Sequence, residues 1–162
     1  MKGEETSMPD LRAATIEDLR ILMDWFHDAA GTAQWGGPDF RFPFDSESFQ
    51  ADCHWPEMPS YVLADADGRM IGFGQFYLKL GRVHLARLAV APGAQGRGHG
   101  KRLVEALCAV GRAELGGDEA SLYVLESNAP ARACYRAVGF VDSPEMPDPD
   151  MPPDTLFMIR RL

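Results

Sequence analysis

The segment from Gln95 to Lys101 has the composition of a loop that binds an anion. Glycines stand at alternate positions, Gly96, Gly98 and Gly100, between a strand-like run and a helix-like run. Glycine lets the backbone approach a ligand closely and turns N–H groups toward it, and the start of a helix adds partial positive charge. The side chains that add donors around them are Arg97, His99 and Lys101. This pattern predicts a phosphate or pyrophosphate site.

Two common phosphate motifs do not fit this segment. The dinucleotide-binding fingerprint needs a glycine where Lys101 stands, and the Walker pattern needs a Gly-Lys-Ser/Thr run that the chain lacks. A strand-to-helix turn without any ligand is the alternative interpretation, because glycine-rich turns alone are weak evidence. A second block of residues is therefore needed to decide between them.

That second block lies about thirty residues further on, and together the two resemble one family. Gln95-x-x-Gly98-x-Gly100 is similar to the acyl-CoA pyrophosphate loop of the GNAT superfamily of N-acyltransferases. Asn128, then Tyr135 seven residues later, then Gly139-Phe140, resemble that family's Asn…Ala…Tyr…Gly-Phe signature. The match covers roughly residues 60–141 in register, and the opening strand and helix fit more loosely.

The resemblance implies an N-acetyltransferase that uses acetyl-CoA as co-substrate and no metal. It implies that backbone groups of the strand before the loop bind the pantetheine arm, that loop amides bind the pyrophosphate, and that Asn128 also holds the pantetheine. The implied cofactor-binding residues are Leu88, Ala89, Val90, Gln95, Gly96, Arg97, Gly98, His99, Gly100, Lys101, Asn128 and Tyr135. The acetyl group would pass to a primary amine of a small molecule or peptide by direct attack in a ternary complex.

Tyr135 is the candidate general acid, since the resemblance places it beside the thioester sulfur. A phenol with an ordinary pKa near ~10 can protonate a departing thiolate. The alternative is a helix residue that packs beneath the opening of the sheet.

His84 is the candidate general base that removes the proton of the incoming amine. An imidazole suits this task near neutral pH. Its position four residues before Leu88 predicts that the two side chains share one face of the strand. A partly exposed strand histidine without a catalytic role is the equal alternative. Tyr123 stands where relatives that modify protein N-termini can carry a Glu, and Glu126 is a weaker candidate for the base.

The family's acceptor site lies between two loops, which are residues 34–44 and 142–154 here. The first is aromatic and the second is acidic, so both suit a cationic amine through cation–π contact and charge attraction. The candidate substrate-binding residues are Trp35, Asp39 and Phe40. The alternative is that the aromatic rings anchor a long loop in the core and that the acids form a solvated face.

The elements that must position these residues alternate between helix and strand along the chain. Hydrophobic periodicity and turn residues predict an α/β fold around a mixed sheet. The resemblance further implies that this central sheet is mostly antiparallel, flanked by helices and splayed at the cofactor-binding strand. The predicted strands are 11–13, 61–64, 70–80, 83–90, 120–125, 140–141 and 156–161. The predicted helices begin at the caps Thr15, Asp45 and Asn128 and at Gly98, and the first is predicted to end at Gly31.

Length and composition limit the functional classes. The chain has 162 residues, enough for one domain, with residues 9–162 predicted to fold and 1–8 to be flexible. Its net charge of −8 argues against a general nucleic-acid binder. No apolar run is long enough to span a membrane. The three cysteines are an odd number without metal-type spacing, which favours reduced thiols in a cytoplasmic protein. A homodimer is left open. A non-catalytic acyl-CoA sensor and a protein-interaction domain are the alternative functions.

Overall fold

The computed structural model describes residues 10–162 as one mixed sheet with helices on both faces. The strands are β1 (Asp10–Ala13), β2 (Ser60–Ala64), β3 (Met70–Lys79), β4 (Arg82–Val90), β5 (Glu119–Leu125), β6 (Val141–Ser143) and β7 (Thr155–Arg161). The helices are α1 (Ile16–Met23), α2 (Ala29–Gly36), α3 (Ser46–Asp52), α4 (His99–Leu115) and α5 (Ala129–Ala137). The predicted flexibility of residues 1–8 lies outside the described residues. Over residues 10–162 no helix is long and apolar enough to cross a bilayer.

The order of strands across the sheet is β1-β2-β3-β4-β5-β7-β6. Neighbouring strands are antiparallel except for β4 and β5, which run parallel. The predicted α/β fold with a mixed, mostly antiparallel sheet is therefore confirmed. The parallel pair lies at the centre of the sheet, and its two strands are joined through α4, as a parallel connection requires.

The first helices differ from the sequence prediction of one helix that ends at Gly31. The chain forms two helices, because Asp28 accepts a hydrogen bond from the Gly31 backbone N–H at 2.7 Å and so starts α2. Gly31 therefore lies in the first turn of a helix rather than after its end. Trp35, predicted to belong to an irregular loop, lies in the last turn of α2. The three predicted caps Thr15, Asp45 and Asn128 are confirmed.

Two hydrophobic clusters cover the two faces of the sheet. On one face α4 packs through Leu103 and Leu107 against strand residues such as Phe76. On the other face α1 and α3 pack, with Leu22 and Phe49 among the fully buried residues. The sheet is thus enclosed on both sides, and a ligand can reach its centre only where neighbouring strands separate.

Strands β4 and β5 separate after a very short paired segment. Their register contains two pairs only, Val83 with Ala120 and His84 with Ser121. The later residues of β4 pair with β3 alone within the described part of the chain, up to Val90 opposite Gly72. The side of β4 that faces β5 therefore has backbone groups free for another partner from Leu85 onward. This is the splay that the resemblance implied.

Candidate active site

The glycine loop lies where β4 ends and α4 begins. Gly98 has a φ of 82° and is the N-cap residue of α4, and Gly96 has a φ of 78°. A Cβ atom placed at either glycine would meet nothing within 4 Å. The left-handed backbone explains why glycine is needed there, and the open space in front of it is a cradle that a side chain would fill. The first N–H groups of α4 have no intrahelical partners and can bind an anion in that space.

Gly100 brings three elements together. A Cβ atom at this position would lie 3.3 Å from Sγ of Cys134 on α5 and 3.9 Å from Cγ2 of Val90 on β4. The absence of a side chain therefore lets the start of α4 approach α5 closely. As a result the predicted pyrophosphate loop, the end of β4 and the segment before Tyr135 lie close together.

Asn128 and Tyr135 are positioned by α5. The Asn128 side-chain oxygen caps the helix by accepting from the Ala131 backbone N–H at 3.4 Å, so its amide NH₂ group is not used by the cap. The half-buried Tyr135 packs against the cluster that also contains Leu88 and Val90, with its ring 6.2 Å from that of Phe140. Tyr135 and the strand predicted to bind the cofactor therefore pack against the same core cluster.

The chemistry of Tyr135 is set by its surroundings. Within residues 10–162 its hydroxyl has no hydrogen-bond partner in the protein. Burial raises the pKa of Tyr135 above the ordinary range, so the hydroxyl is protonated at neutral pH. A protonated hydroxyl without a protein partner is available to donate to a ligand. The assignment of Tyr135 as general acid stays a prediction.

His84 lies on the opposite face of the sheet from Leu88, so the prediction that they share a face is wrong. Two residues of β4, Arg87 and Leu88, lie opposite the single residue Gly74 of β3, which is a β-bulge. The extra residue reverses the alternation of side chains. Leu88 consequently packs toward α4, whereas His84 contacts Tyr77 on the other face.

The environment of His84 is buried and aromatic. Its side chain is enclosed by rings at centroid distances of 5.2, 4.9 and 6.4 Å from Tyr77, Tyr123 and Phe157. Its Nδ1 atom lies 2.8 Å from Oγ of Ser121, and the residue is 2% exposed. Burial lowers the pKa of His84 to about 3. The imidazole is therefore neutral and weakly basic at neutral pH, and its role as general base stays a prediction.

The buried imidazole should make folding stability depend on pH. The pKa of His84 is near ~6.5 when the chain is unfolded and about 3 when it is folded, so the unfolded state binds the extra proton between these values. We expect the contribution of His84 to the free energy of unfolding to be complete above pH ~6.5. Below that pH it should fall by about 1.4 kcal/mol per pH unit. Urea unfolding between pH ~7.5 and ~4.5 measures this slope.

The matched variants are His84→Gln and His27→Gln. The first removes the buried imidazole and should flatten the slope, whereas the second changes an exposed histidine and should leave it unchanged. An equal slope in wild type and His84→Gln would show that other groups cause the acid sensitivity.

The acidic side chains of loop 142–154 are largely paired with cations. Asp148 lies 2.8 Å from Nζ of Lys79 and accepts a hydrogen bond from the Tyr123 hydroxyl at 2.7 Å. Two further pairs are Arg82–Glu145 and Arg136–Asp142, both at 3.1 Å. These ion pairs fasten the loop to the sheet and to α5. They also neutralise much of the negative charge that the sequence analysis assigned to attraction of a cationic amine.

The candidate acceptor-binding residues occupy two different environments. Trp35 stacks on Phe26 at a centroid distance of 4.3 Å, and Phe40, 7% exposed, lies against Trp35 in the same core cluster. Asp39 is exposed next to them. Trp35 and Phe40 thus anchor the loop after α2, which was the alternative interpretation of the aromatic residues. Their contact with an acceptor, and that of Asp39, stays a prediction.

Arg87, which the bulge places at the centre of the sheet, is not among the residues that the sequence predicted for the site. Its φ is 52°, and its Nη1 donates to Oε1 of the fully buried Gln75 at 3.0 Å. Ordinary strand alternation gives no sign of this position, because a bulge depends on pairing with β3. The only sequence signal is an arginine between apolar residues in Leu85–Val90.

Metal chemistry has no visible site in the described part of the chain. Among residues 10–162 no group of three or more His, Cys, Asp or Glu side chains is arranged to bind a metal ion. The three cysteines, Cys53, Cys108 and Cys134, are free thiols.

A family model and curated relatives both match the chain to acetyltransferases. The family model described as "Acetyltransferase (GNAT) family" matches residues 29–140, more than half of the chain. Mycothiol acetyltransferase of Beutenbergia cavernae is 39% identical over 141 residues, covering 83% of this chain and 36% of that protein. Mycothiol acetyltransferase of Clavibacter sepedonicus is 40% identical over 90 residues, covering 55% of this chain and 29% of that protein. The chain thus spans about a third of the length of these curated relatives.

Solved structures agree on the fold. A spermidine N-acetyltransferase from Vibrio cholerae in complex with CoA and spermine has a TM-score of 0.73, with 22% identity and 96% of each chain covered. An aminoglycoside acetyltransferase in complex with coenzyme A and kanamycin has a TM-score of 0.74, with 22% identity and 94% of each chain covered. At this level of identity the likeness concerns the fold.

Proposed function

Because this chain belongs to the GNAT acetyltransferase family, we propose that it transfers an acetyl group from acetyl-CoA to a primary amine of a small molecule or peptide. The observation that carries the proposal is the open cradle at Gly96 and Gly98, where the start of α4 faces an unfilled space beside the splayed β4. A cytoplasmic location belongs to the same proposal, and the homodimer stays a prediction.

Residues of this chain suit the three parts of acetyl-CoA. The start of α4, with Gln95 and the side chains of Arg97, His99 and Lys101, suits the pyrophosphate through backbone N–H groups and positive charge. The backbone of Leu88–Val90, unpaired toward β5, suits the pantetheine amides as a further strand would. The free amide NH₂ group of Asn128 supplies another donor to the same arm.

The transfer itself needs an acid and a route for one proton. Acetyl-CoA supplies a thioester that an amine can attack directly. We assign Tyr135 as the acid for the leaving sulfur, since its hydroxyl is protonated at neutral pH and has no hydrogen-bond partner within residues 10–162. His84 is a weak base because burial lowers its pKa to about 3, so its role as the acceptor of the amine proton, directly or through one water, stays a prediction.

An amine panel with thiol detection tests the proposal. We expect acetyl-CoA to raise the melting temperature, as a ligand specific to the native state does, and free thiol to appear only when an accepted amine is added. Polyamines, aminoglycosides, amino acids and peptides form the panel, and acetyl-CoA without amine is the control. For an accepted amine, intersecting double-reciprocal lines support a ternary complex, whereas parallel lines would indicate a covalent acyl-enzyme.

Two other outcomes would replace the proposal. A melting shift with CoA but no thiol release with any amine would favour the acyl-CoA sensor. The absence of any effect of CoA would favour a protein-interaction domain in which the acidic loop is the functional part.

A further inference from the structure

Arg87 is a half-buried arginine at the point where β4 and β5 have separated. It belongs to the bulge of β4 and immediately precedes Leu88, the first residue of the proposed pantetheine-binding segment. Its guanidinium lies on the face of the sheet opposite α4, where it reaches Gln75 of β3 and, at 3.7 Å, Sδ of Met58. This is the face on which loop 142–154, one of the two predicted acceptor loops, contacts Tyr123.

The position of this guanidinium is held by a buried hydrogen-bond network. Gln75 is 0% exposed, and its Nε2 donates to the backbone oxygen of Cys53 and to Oγ of Ser60, both at 2.8 Å. These two bonds fix the amide so that its Oε1 faces Arg87. Ser60 is oriented in turn by donating to the Met58 backbone oxygen at 2.8 Å. Arg87 is therefore placed by the core rather than by solvent.

This arginine lacks the anion that its burial calls for. Among residues 10–162 no carboxylate lies within salt-bridge distance of it, and the nearby Asp52 is bound by Arg41 at 2.9 Å. The Nε atom of Arg87 is buried and has no hydrogen-bond partner among the described residues. Its Nη2 group also has no partner among them but is not sealed from solvent. A desolvated cation without a counterion is unfavourable, and burial lowers the pKa of Arg87 accordingly.

Two other arginines near the candidate site differ from Arg87 in this respect. Arg82 lies on the same strand and is likewise partly buried, yet it pairs with Glu119 at 2.9 Å and with Glu145 at 3.1 Å. Arg97 has no acidic partner within the described residues, but it is exposed and therefore solvated. Arg87 alone among these three combines burial, a fixed position and a missing anion.

We propose that Arg87 binds an oxyanion of the acceptor, so that the acceptor is an amine that also carries a carboxylate or a phosphate. A guanidinium binds either group through charge-assisted hydrogen bonds, and such bonds are strong where water is excluded. The inference rests on the proposed acetyl transfer and specifies its substrate class. It replaces the expectation of a purely cationic amine, whose supporting acids in loop 142–154 are largely paired.

The test compares acceptors that differ only in the oxyanion. Alanine against alaninamide examines the carboxylate, and phosphoethanolamine against ethanolamine examines the phosphate. Each is titrated into the complex of the protein with CoA, so that binding is measured without turnover. We expect the oxyanion member of at least one pair to bind wild type at least about tenfold more tightly, which is the effect of one charge-assisted hydrogen bond.

Three variants assign that preference to Arg87. Arg87→Met removes the charge with little change of shape and should bring the ratio within each pair to about one. Arg87→Lys keeps the charge and should retain part of the preference, although a bidentate contact is lost. Arg82→Met, the control on the same strand, should keep the wild-type ratio.

The outcomes separate this inference from the proposed function. Equal binding within both pairs in wild type, or a preference that survives in Arg87→Met, would overturn it. If Arg87→Met does not fold, the wild-type ratio and Arg87→Lys still decide. Oxyanion-dependent binding without thiol release from acetyl-CoA would support the Arg87 site and contradict acetyl transfer. Acetylation confined to neutral or purely cationic amines would support acetyl transfer and contradict the Arg87 site.

Discussion

Gly98→Val is expected to abolish the stabilisation of the protein by acetyl-CoA. The new side chain would occupy the open space before α4, where a pyrophosphate would meet the first backbone N–H groups of the helix. Each lost charge-assisted hydrogen bond weakens binding by roughly tenfold or more, so the loss of two predicts a Kd on the order of a hundredfold higher. The shift in melting temperature with acetyl-CoA and a direct titration with CoA measure the effect.

The matched control is Gly116→Val at the other end of the same helix. Gly116 has a φ of 78° against 82° for Gly98, and a Cβ atom there also meets nothing within 4 Å. The two positions differ in ψ, which is 3° at Gly98 and −171° at Gly116, a region that is almost confined to glycine. Gly116→Val therefore carries at least as much backbone strain as Gly98→Val and controls for loss of stability. Only Gly98→Val should lose the ligand. Equal CoA affinity in the two variants would contradict the assignment of the glycine loop as the pyrophosphate site. Gly100→Val is a poorer test, because its side chain would also press on Cys134.

Tyr135→Phe is expected to lower kcat by about a hundredfold or more while acetyl-CoA binds almost as in wild type. The substitution removes only the hydroxyl, and general acid catalysis contributes about this factor. Because the hydroxyl has no partner in the protein within residues 10–162, its loss should not disturb a hydrogen bond of the folded state. Steady-state kinetics with an accepted amine, together with titration of CoA, separate the two quantities.

Tyr61→Phe is the control for loss of a tyrosine hydroxyl elsewhere. Tyr61 stacks on Phe76 at 5.5 Å, and its hydroxyl donates to Glu114. This variant should keep the wild-type kcat. If Tyr135→Phe also keeps the wild-type rate, Tyr135 is a packing residue and water protonates the leaving thiolate.

The sequence by itself determined the family, the fold class and most of the elements. These are read from local patterns: the caps Thr15, Asp45 and Asn128 accept bonds from residues close in sequence, and hydrophobic periodicity marks helices and strands. The glycines at 96 and 98 were also readable, because the backbone at a tight turn restricts its own residue type. Where local signals competed, as at Asp28 and Gly31, the prediction merged two helices into one.

Only the tertiary structure decided which side chains face the acceptor and with what charge. The bulge at Arg87 arises from pairing with β3 and reverses the face of Leu88 relative to His84. Its only local sign is an arginine between apolar residues. Likewise, the residues that bury His84 and lower its pKa come from distant parts of the chain. The ion pair of Asp148 with Lys79 also connects two distant residues. Charge and basicity depend on desolvation and on partners, and both are properties of the packed protein rather than of residue type.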